Sequence, residues 1–346
     1  MRVRSVEQEV RGWGTARALI PLTSHSSPLT LVTMRLAIFM PAVLPVQGYG
    51  GTERIAVNQV RGLAARGHTI SLLAGAGSTV PEAALVPVPL PAATGRFEIE
   101  PYLPAGTELL LSNVKLHHPP AAVPWVEVLH GNRRPDERGP PQTIYLSRDH
   151  AERHGGGCWV HNGVDPAEVI FRPVKQKFDL FLGRLHAVKG YHWAIAGAKR
   201  LDRKLRIAGA WRPSLDPRVR YLGQVGGAAK AELLADARLA WMPALWDEPF
   251  GMTLVEAMAS GTPVLGTRRG ALPEVITPDV GRLGTTLDEL LALLPECERI
   301  DPAACRARFE KYFTHHQMAA EYERVLREFL ATGRLPVGRT PEERGA

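Results

Sequence analysis

Short apolar runs alternate with amphipathic stretches along the chain from residue 34 onward, and this alternation constrains the fold more than any other feature. Between the first two apolar runs, the segment 51–66 carries apolar residues at helical spacing. Strands that alternate with helices in this way form parallel sheets from βαβ units. We therefore predict an α/β fold with an irregular stretch at 76–107. The first series of predicted strands lies at 35–39, 69–74, 108–112, 125–129 and 143–146.

A second series of the same kind follows the turn-rich stretch 161–177, which is typical of a linker. Two doubly wound sheets in tandem leave a crevice between them, and ligands of such sheets bind outside the carboxyl ends of the strands. The chain from 302 to 331 is predicted to be helical, with an apolar packing face. The second series has predicted strands at 178–183, 205–209, 219–223, 238–243 and 263–266, and predicted helices at 189–200, 227–236 and 253–260.

Chain length, cysteine content and net charge limit the classes of protein to which this sequence can belong. At 346 residues the chain is long enough for about two domains. Its 3 cysteines include no CxxC pair, so we expect a reducing cytoplasm and neither a disulfide framework nor a zinc site. The net charge of +7 suits a phosphate-bearing ligand, nucleic acid or an anionic membrane face. Without an RNP-like pattern, a zinc finger or a dense basic block, nucleic acid is not the expected partner.

No window of the sequence is apolar enough to span a membrane, which leaves peripheral contact with the inner membrane face open. Residues 1–33 mix Arg with Ser and Pro and lack the apolar core of a signal peptide. The run that starts at Met34 resembles a first buried strand. Residues 1–33 are therefore either a disordered tail or a mis-called start.

Two acids bracket a glycine turn in the stretch DEPFGMTLVEAMASGTPVLG, residues 247–266. Thr253 and Glu256 fit a capping box, in which a hydroxyl and a carboxylate satisfy the free N–H groups of a helix start. Glu248 stands before the turn, where nothing in the local pattern requires an acid. A capping role for Glu256 and a role in a site are both compatible with this pattern.

Glycines follow the first predicted strand in the segment YGGTE, where Gly50 and Gly51 open the first predicted helix. Glycine lets the backbone approach a phosphate, and a helix N-terminus supplies N–H donors and partial positive charge. A dinucleotide fingerprint fits poorly, because its third glycine would fall at Glu53 and the second strand ends without an acid. The two remaining interpretations of this segment are a phosphate-facing loop of another kind and a plain tight turn.

Two cations, Arg184 and Lys189, follow the first strand of the second series in GRLHAVKG, residues 183–190. A rigid guanidinium and a flexible ammonium at a strand's carboxyl end can clamp a diphosphate, although such cations are often only solvated.

Together, YGGTE, NGVD at 162–165, GRLHAVKG and EPFGMTLVEAMASGTPVLG resemble the family 4 (group 1) retaining glycosyltransferases over residues 34–330. The resemblance implies the GT-B fold, in which two Rossmann-like doubly wound domains face a central cleft. The implied organisation is a tail at 1–33, a short acceptor-side domain at 34–165, a nucleotide-sugar donor domain at 166–315, a closing helix at 316–331 that returns to the first domain, and a flexible tail at 332–346.

The resemblance also implies roles for individual residues. Glu248 binds the hydroxyls of the donor sugar, and Glu256 takes the ribose hydroxyls. Arg184 and Lys189 neutralise the departing diphosphate. His130 meets the donor sugar, although a histidine at a strand end can equally be structural. The remaining donor-binding residues implied are Gly50, Gly51, Phe250, Gly251, Met252, Thr253 and Leu254.

The function implied by the resemblance is transfer of a sugar from a nucleoside-diphosphate-sugar to a sugar, lipid-linked or small-molecule acceptor, with retention at the anomeric carbon. Such an enzyme of glycan biosynthesis needs no metal or other cofactor, and no Asp-x-Asp occurs in the chain. A GT-B phosphorylase, a sugar-nucleotide epimerase and a non-catalytic nucleotide-sugar-binding protein are the alternatives. The first domain is short where an acceptor is held, and the loop 132–140 either lines that face or is solvated.

Overall fold

The computed structural model describes residues 33–46, 48, 50–90, 97–134 and 137–344. The predicted tail at 1–33 lies outside these residues apart from Thr33, and so do the last two residues of the predicted tail at 332–346. From Thr33 onward the chain forms one compact unit. The predicted domain boundaries within it stay predictions.

The first half of this unit is built on a parallel sheet in the order β3-β2-β1-β4-β5-β6. Helix α1 (Gly51–Ala65) connects β1 to β2, and the short helix α2 (Arg148–Arg153) follows β6. The strands are β1 (Arg35–Phe39), β2 (Thr69–Gly75), β3 (Ala84–Val88), β4 (Leu109–Ser112), β5 (Trp125–Val128) and β6 (Thr143–Ile144).

The second half repeats this plan with a parallel sheet in the order β12-β11-β10-β7-β8-β9. Its strands are β7 (Asp179–Leu182), β8 (Leu205–Ala208), β9 (Val219–Tyr221), β10 (Leu239–Met242), β11 (Val264–Thr267) and β12 (Gly281–Gly284). Its helices are α3 (Tyr191–Arg200), α4 (Gly227–Asp236), α5 (Met252–Ala259), α6 (Leu272–Val275), α7 (Leu287–Glu298), α8 (Pro302–Tyr312) and α9 (His315–Thr332).

The α/β prediction is confirmed, because the buried apolar runs form the central strands of both sheets. All four residues of β4 and all four of β10 are buried, as expected where helices cover both faces of a parallel sheet. The sequence analysis did not predict two edge strands, β3 and β12. Strand β3 lies within the stretch 76–107 that was predicted to be irregular, and it contains a proline and is mostly exposed. Proline in a strand is confined to edges, bulges and strand starts, so the alternation there is too weak to read.

The predicted helical region 302–331 is interrupted at Phe313 and Thr314, where the Thr314 hydroxyl caps α9 by accepting from the N–H of Gln317 at 3.3 Å. Helix α9 then packs on α1 in the first half. The contact is close at Gly62, where an added Cβ would lie 2.6 Å from the Cβ of Ala319 and 2.7 Å from the carbonyl oxygen of His315. The C-terminal helix thus ties the second half to the first.

Residues 333–344 correct the prediction of a flexible tail, because they lie against the first half. The N–H of Gly338 donates to the Gly157 oxygen at 3.0 Å, and an added Cβ at Gly338 would meet the Trp159 indole at 2.2 Å. Arg339 forms an ion pair with the buried Glu321 of α9, and Arg344 Nη2 lies 2.7 Å from His161 Nδ1. The resemblance implied a flexible tail, whereas these long-range contacts hold the segment against the rest of the chain.

Gly62→Ala should lower the free energy of unfolding by about 1–3 kcal/mol, because the added methyl group overpacks the α1–α9 contact. The matched control is Gly51→Ala at the start of the same helix, where an added Cβ meets no atom within 4 Å. The control should keep its stability or gain up to about 1 kcal/mol from helix propensity. Urea denaturation measures both, and equal stability of the two variants would contradict the close contact.

Candidate active site

A cleft of about 420 Å³ lies where the carboxyl ends of both sheets meet. The segments that line it follow β1, β5, β7 and β10, which is the position expected for a ligand site in doubly wound sheets. A smaller cavity of about 130 Å³ shares Gly50, Gly51 and Thr253 with this cleft and extends it toward α4. The cleft and the smaller cavity therefore form one continuous groove.

The glycine loop after β1 forms one wall of the groove. Gly50 is the N-cap of α1 and Gly51 is its first residue, so the unpaired N–H groups of the first helical turn are at the cleft. An added Cβ on Gly50 would lie 2.7 Å from a methyl group of Val46. Thr52 and Glu53 also line the cleft, and neither was singled out from the sequence. Tyr49 lies outside the described residues.

The two predicted cations stand on the opposite wall. Arg184 follows β7 and lines the cleft. Lys189 ends a short 3₁₀ turn, and Gly190 after it has φ +71° and is the N-cap of α3. An added Cβ on Gly190 would lie 1.7 Å from the carbonyl oxygen of Pro243, so only glycine lets this turn pack against the segment after β10. The backbone at Lys189 is therefore fixed relative to the acid loop.

Glu248 meets Lys189 across the cleft. The carboxylate Oε2 accepts from Lys189 Nζ at 2.7 Å and from Trp246 Nε1 at 2.9 Å, and Glu248 is 8% exposed. The Lys189 ammonium also lies 4.5 Å from the centre of the Trp246 ring. Trp246 thus orients both members of the ion pair. The sequence reasoning missed Trp246, although its position two residues before Glu248 was a usable signal.

The capping-box prediction for Thr253 and Glu256 is wrong. Helix α5 starts one residue earlier than predicted, its N-cap is Gly251 with φ +92°, and the helix start has no side-chain cap. Thr253 therefore lies inside the first turn. The Glu256 carboxylate instead forms an ion pair with Lys230 of α4, at the smaller cavity. Nothing in the sequence links Lys230 to Glu256, because two helices separated by β10 carry them.

The structure brings most of the other predicted donor-binding residues to the groove. Phe250 and Gly251 line the cleft, and Met252 and Thr253 line both parts of the groove. Leu254 lines neither cavity. It is buried in the core, and its side chain would contact a Cβ added at Gly251 at 2.6 Å. Leu254 therefore packs against the loop at Gly251 from the core side and does not line the groove.

His130 follows β5 and lines the cleft, as the sequence predicted. Its Nε2 lies 2.8 Å from the Oδ1 of Asn113, which follows β4. Burial lowers the pKa of His130 to about 4, so the ring is neutral at physiological pH. Asn113 itself is buried, and sequence reasoning did not identify it.

Side chains of the first half hold the acid loop in place. Ser147 Oγ donates to the Pro249 carbonyl at 2.9 Å, and Asn132 Nδ2 donates to the Asp247 carbonyl at 2.8 Å. Glu274 of α6 accepts from the N–H groups of Arg148 and Asp149 at 2.9 and 2.7 Å. The position of Glu248 thus depends on contacts from both halves.

In the loop 132–140, Arg133 forms a buried ion pair with Glu127 of β5, whereas Arg134 and Arg138 are exposed. Arg133 therefore stabilises the sheet and does not face a ligand. Among the residues that the structure describes, no three His, Cys, Asp or Glu side chains cluster as metal ligands. The described helices include none that is long and apolar enough to cross a membrane.

Comparisons with known proteins agree with this geometry. A family model described as "Glycosyl transferases group 1" matches residues 177–293. AviGT4, a glycosyltransferase of avilamycin A biosynthesis, is 25% identical, with a TM-score of 0.73 over 88% of this chain and 100% of AviGT4. Residues 177–293 of the chain are thus similar to the group 1 glycosyltransferases. The predicted family resemblance and the GT-B fold are confirmed.

Curated relatives match this chain over part of their length. The MMP alpha-(1->4)-mannosyltransferase of Mycolicibacterium hassiacum is 53% identical over 68 residues, which are 18% of this chain and 16% of the relative. The D-inositol 3-phosphate glycosyltransferase of Mycolicibacterium smegmatis is 26% identical over 219 residues, which are 52% of this chain and 50% of the relative. The chain thus matches half or less of the length of these two relatives.

Stability of the protein should fall as the pH drops from about 6.5 toward 4. Burial lowers the pKa of His130 and His161 to about 4 and that of His150 to about 3. Below the ordinary pKa of about 6.5, the unfolded chain binds protons at these sites that the folded chain does not bind. The contribution of these neutral histidines to the stability of the folded state is therefore complete above pH 6.5, and it is lost as the pH falls toward 4.

Three such sites give a slope of up to about 4 kcal/mol per pH unit near pH 5. Urea denaturation at a series of pH values measures it. The variant His150→Gln should lower the slope by up to about 1.4 kcal/mol per pH unit, whatever its effect on stability at pH 7. An unchanged slope would show that His150 is protonated in the folded state.

Proposed function

We propose that this protein is a group 1 glycosyltransferase, which transfers a sugar from a nucleoside-diphosphate-sugar to an acceptor not yet identified, with retention at the anomeric carbon and without a metal ion. The observation that carries the proposal is the convergence of the α1 N-terminus, Arg184, Lys189 and Glu248 on one cleft. This arrangement suits a diphosphate with a sugar at its end.

The charge distribution of the cleft supports the phosphate position. A diphosphate that leaves the sugar gains negative charge in the transition state, and rigid donors beside it stabilise that state more than the ground state. The N–H groups at Gly50 and Gly51, together with Arg184 and Lys189, supply such donors. Their combined positive charge can replace the charge that a divalent metal supplies in other phosphate sites.

The two acids suit the two sugars of the donor. Glu248 is held by Lys189 and Trp246 beside the phosphate position, and its unused lone pairs can accept from hydroxyls of the transferred sugar. Glu256 lies in the smaller cavity, where it can accept from the ribose hydroxyls. The ion pair with Lys230 orients the Glu256 carboxylate. We assign no protein general base, since retention in this family is usually described as same-face attack in which the departing phosphate takes the acceptor proton.

The remaining parts of the proposal concern location and partners. The cysteines at 158, 297 and 305 are free thiols and buried, which suits a reducing cytoplasm. We propose a sugar, lipid-linked or small-molecule acceptor and no nucleic-acid partner. The positive net charge of +7 is compatible with peripheral contact to an anionic membrane face.

A nucleotide-sugar donor should raise the melting temperature of the full chain in a screen of UDP-, GDP- and ADP-sugars. A ligand of the native state at 100 times its Kd stabilises that state by about 2.7 kcal/mol. GDP-mannose belongs in the screen because one relative is named a mannosyltransferase. Release of nucleoside diphosphate from the donor, with and without candidate acceptors, then measures turnover.

With that donor, Lys189→Met should lower kcat by about 10²- to 10³-fold, because a cation beside the developing charge is lost. The matched control is Lys199→Met on α3, which removes a 53% exposed cation outside the cleft and should leave kcat unchanged. Full activity of Lys189→Met would contradict the site. Donor binding without nucleotide release would identify a binding protein instead.

A further inference from the structure

A row of buried amides runs from the cleft into the first half of the molecule. His130 Nε2 lies 2.8 Å from Asn113 Oδ1, and Asn113 Nδ2 donates to Gln59 Oε1 of α1 at 2.8 Å. Asn113 is 3% exposed and Gln59 is fully buried. Each amide is therefore shielded from bulk solvent and contacts a protein neighbour.

The orientation of the amides in this row sets which ring nitrogen of His130 carries the proton. The ring is neutral, so one nitrogen donates and the other accepts. The Asn113 amide nitrogen is engaged with Gln59, which turns the Asn113 oxygen toward His130. An oxygen can only accept, so His130 Nε2 is the donor and Nδ1 keeps its lone pair. The described part of the chain offers Nδ1 no hydrogen-bond partner, and Nδ1 is not among its buried unpaired atoms.

We propose that Asn113 is a positioning residue that holds His130 in the Nε2–H tautomer, so that His130 Nδ1 accepts a hydrogen bond from a hydroxyl of the substrate. This inference rests on the proposed function for the identity of the ligand. It specifies the sense of the contact: His130 binds a hydroxyl as an acceptor and neither donates to it nor carries charge.

The opposite end of the row defines the competing arrangement. Gln59 and the hydroxyl of Tyr322 in α9 are buried beside each other at this end of the row. If both amides were reversed, Asn113 would donate to His130 Nε2, and Nδ1 would become the donor toward the cleft. The two arrangements have the same heavy-atom positions, so an experiment must observe the proton.

The tautomer is measured by long-range ¹H–¹⁵N NMR on the full chain with ¹⁵N-labelled histidine at pH 7, and His130→Gln assigns the signals. The expected spectrum has a protonated Nε2 and a bare Nδ1 for His130. A protonated Nδ1 would overturn the proposal. This measurement needs no substrate, so its outcome is independent of whether the chain turns over nucleotide sugars.

Two variants of Asn113 test the positioning role. Asn113→Leu removes the acceptor, and kcat/KM should fall about tenfold while the His130 nitrogens lose the signature of one fixed tautomer. Asn113→Asp keeps an acceptor but adds charge, which raises the pKa of His130. Its activity should match that of the unchanged chain at high pH and fall as the pH drops through the raised pKa, because protonation turns Nδ1 into a donor.

The matched control is Asn58→Ala, which removes a buried amide one residue from Gln59. Asn58 Nδ2 donates to the Gly163 carbonyl at 3.0 Å, and among the described residues Asn58 forms no hydrogen bond with Asn113. This variant should lose stability and leave the His130 signals unchanged. An equal change of the His130 signals in Asn58→Ala and Asn113→Leu would overturn the positioning role. Normal kinetics in Asn113→Leu would do the same, whereas the expected NMR spectrum without turnover of any donor would count against the proposed function alone.

Discussion

The parallel direction of the strands in both sheets is the constraint on which the rest of the structure depends. Parallel strands end at the same edge, so the loops after β1, β5, β7 and β10 converge although they are far apart in sequence. Each loop contributes a different kind of group: backbone N–H donors, an imidazole, cations and carboxylates. The α1–α9 contact then joins the halves, and side chains of the first half fix the acid loop of the second. The site is therefore a property of the whole unit from Thr33 onward and of neither half alone.

Both acids of the groove are held by lysines, and this pairing has consequences for a site that binds charged ligands. Glu248 is paired with Lys189, and Glu256 with Lys230, all with less than one fifth of the side chain exposed. Removal of one member of such a pair leaves a charge that the protein solvates poorly. The pairs also fix the direction of each carboxylate before a ligand arrives, which reduces the ordering cost of binding.

Local patterns predicted the parts of the fold and site that depend on local physics. The apolar runs that became central strands, and the motifs at strand ends such as Gly50 and Lys189, could be recognised because burial and strand direction determine them. Lys230 and Asn113 could not, because their roles arise from contacts between elements that the sequence does not relate. The capping box failed for a related reason: Gly251 with φ +92° started α5 one residue earlier and left Glu256 free to meet Lys230. Edge strand β3 was not predicted because its residues are mostly exposed and show no clear apolar alternation.

Burial of histidines links the stability of the fold to the chemistry of the cleft. A solvated imidazole exchanges its proton between its nitrogens and with water. A buried neutral ring has one donor and one acceptor nitrogen, and the neighbouring groups determine which nitrogen has which role. At His150, the N–H of Leu146 donates to Nδ1 at 3.3 Å, so Nε2 must carry the proton, and it faces the Gly131 carbonyl at 3.2 Å. At His130, the Asn113 oxygen accepts from Nε2, so Nδ1 is the acceptor nitrogen. Nδ1 can then accept a hydrogen bond from a ligand. The same desolvation that makes both rings neutral thus lets the surrounding amides and carbonyls set the direction of each hydrogen bond.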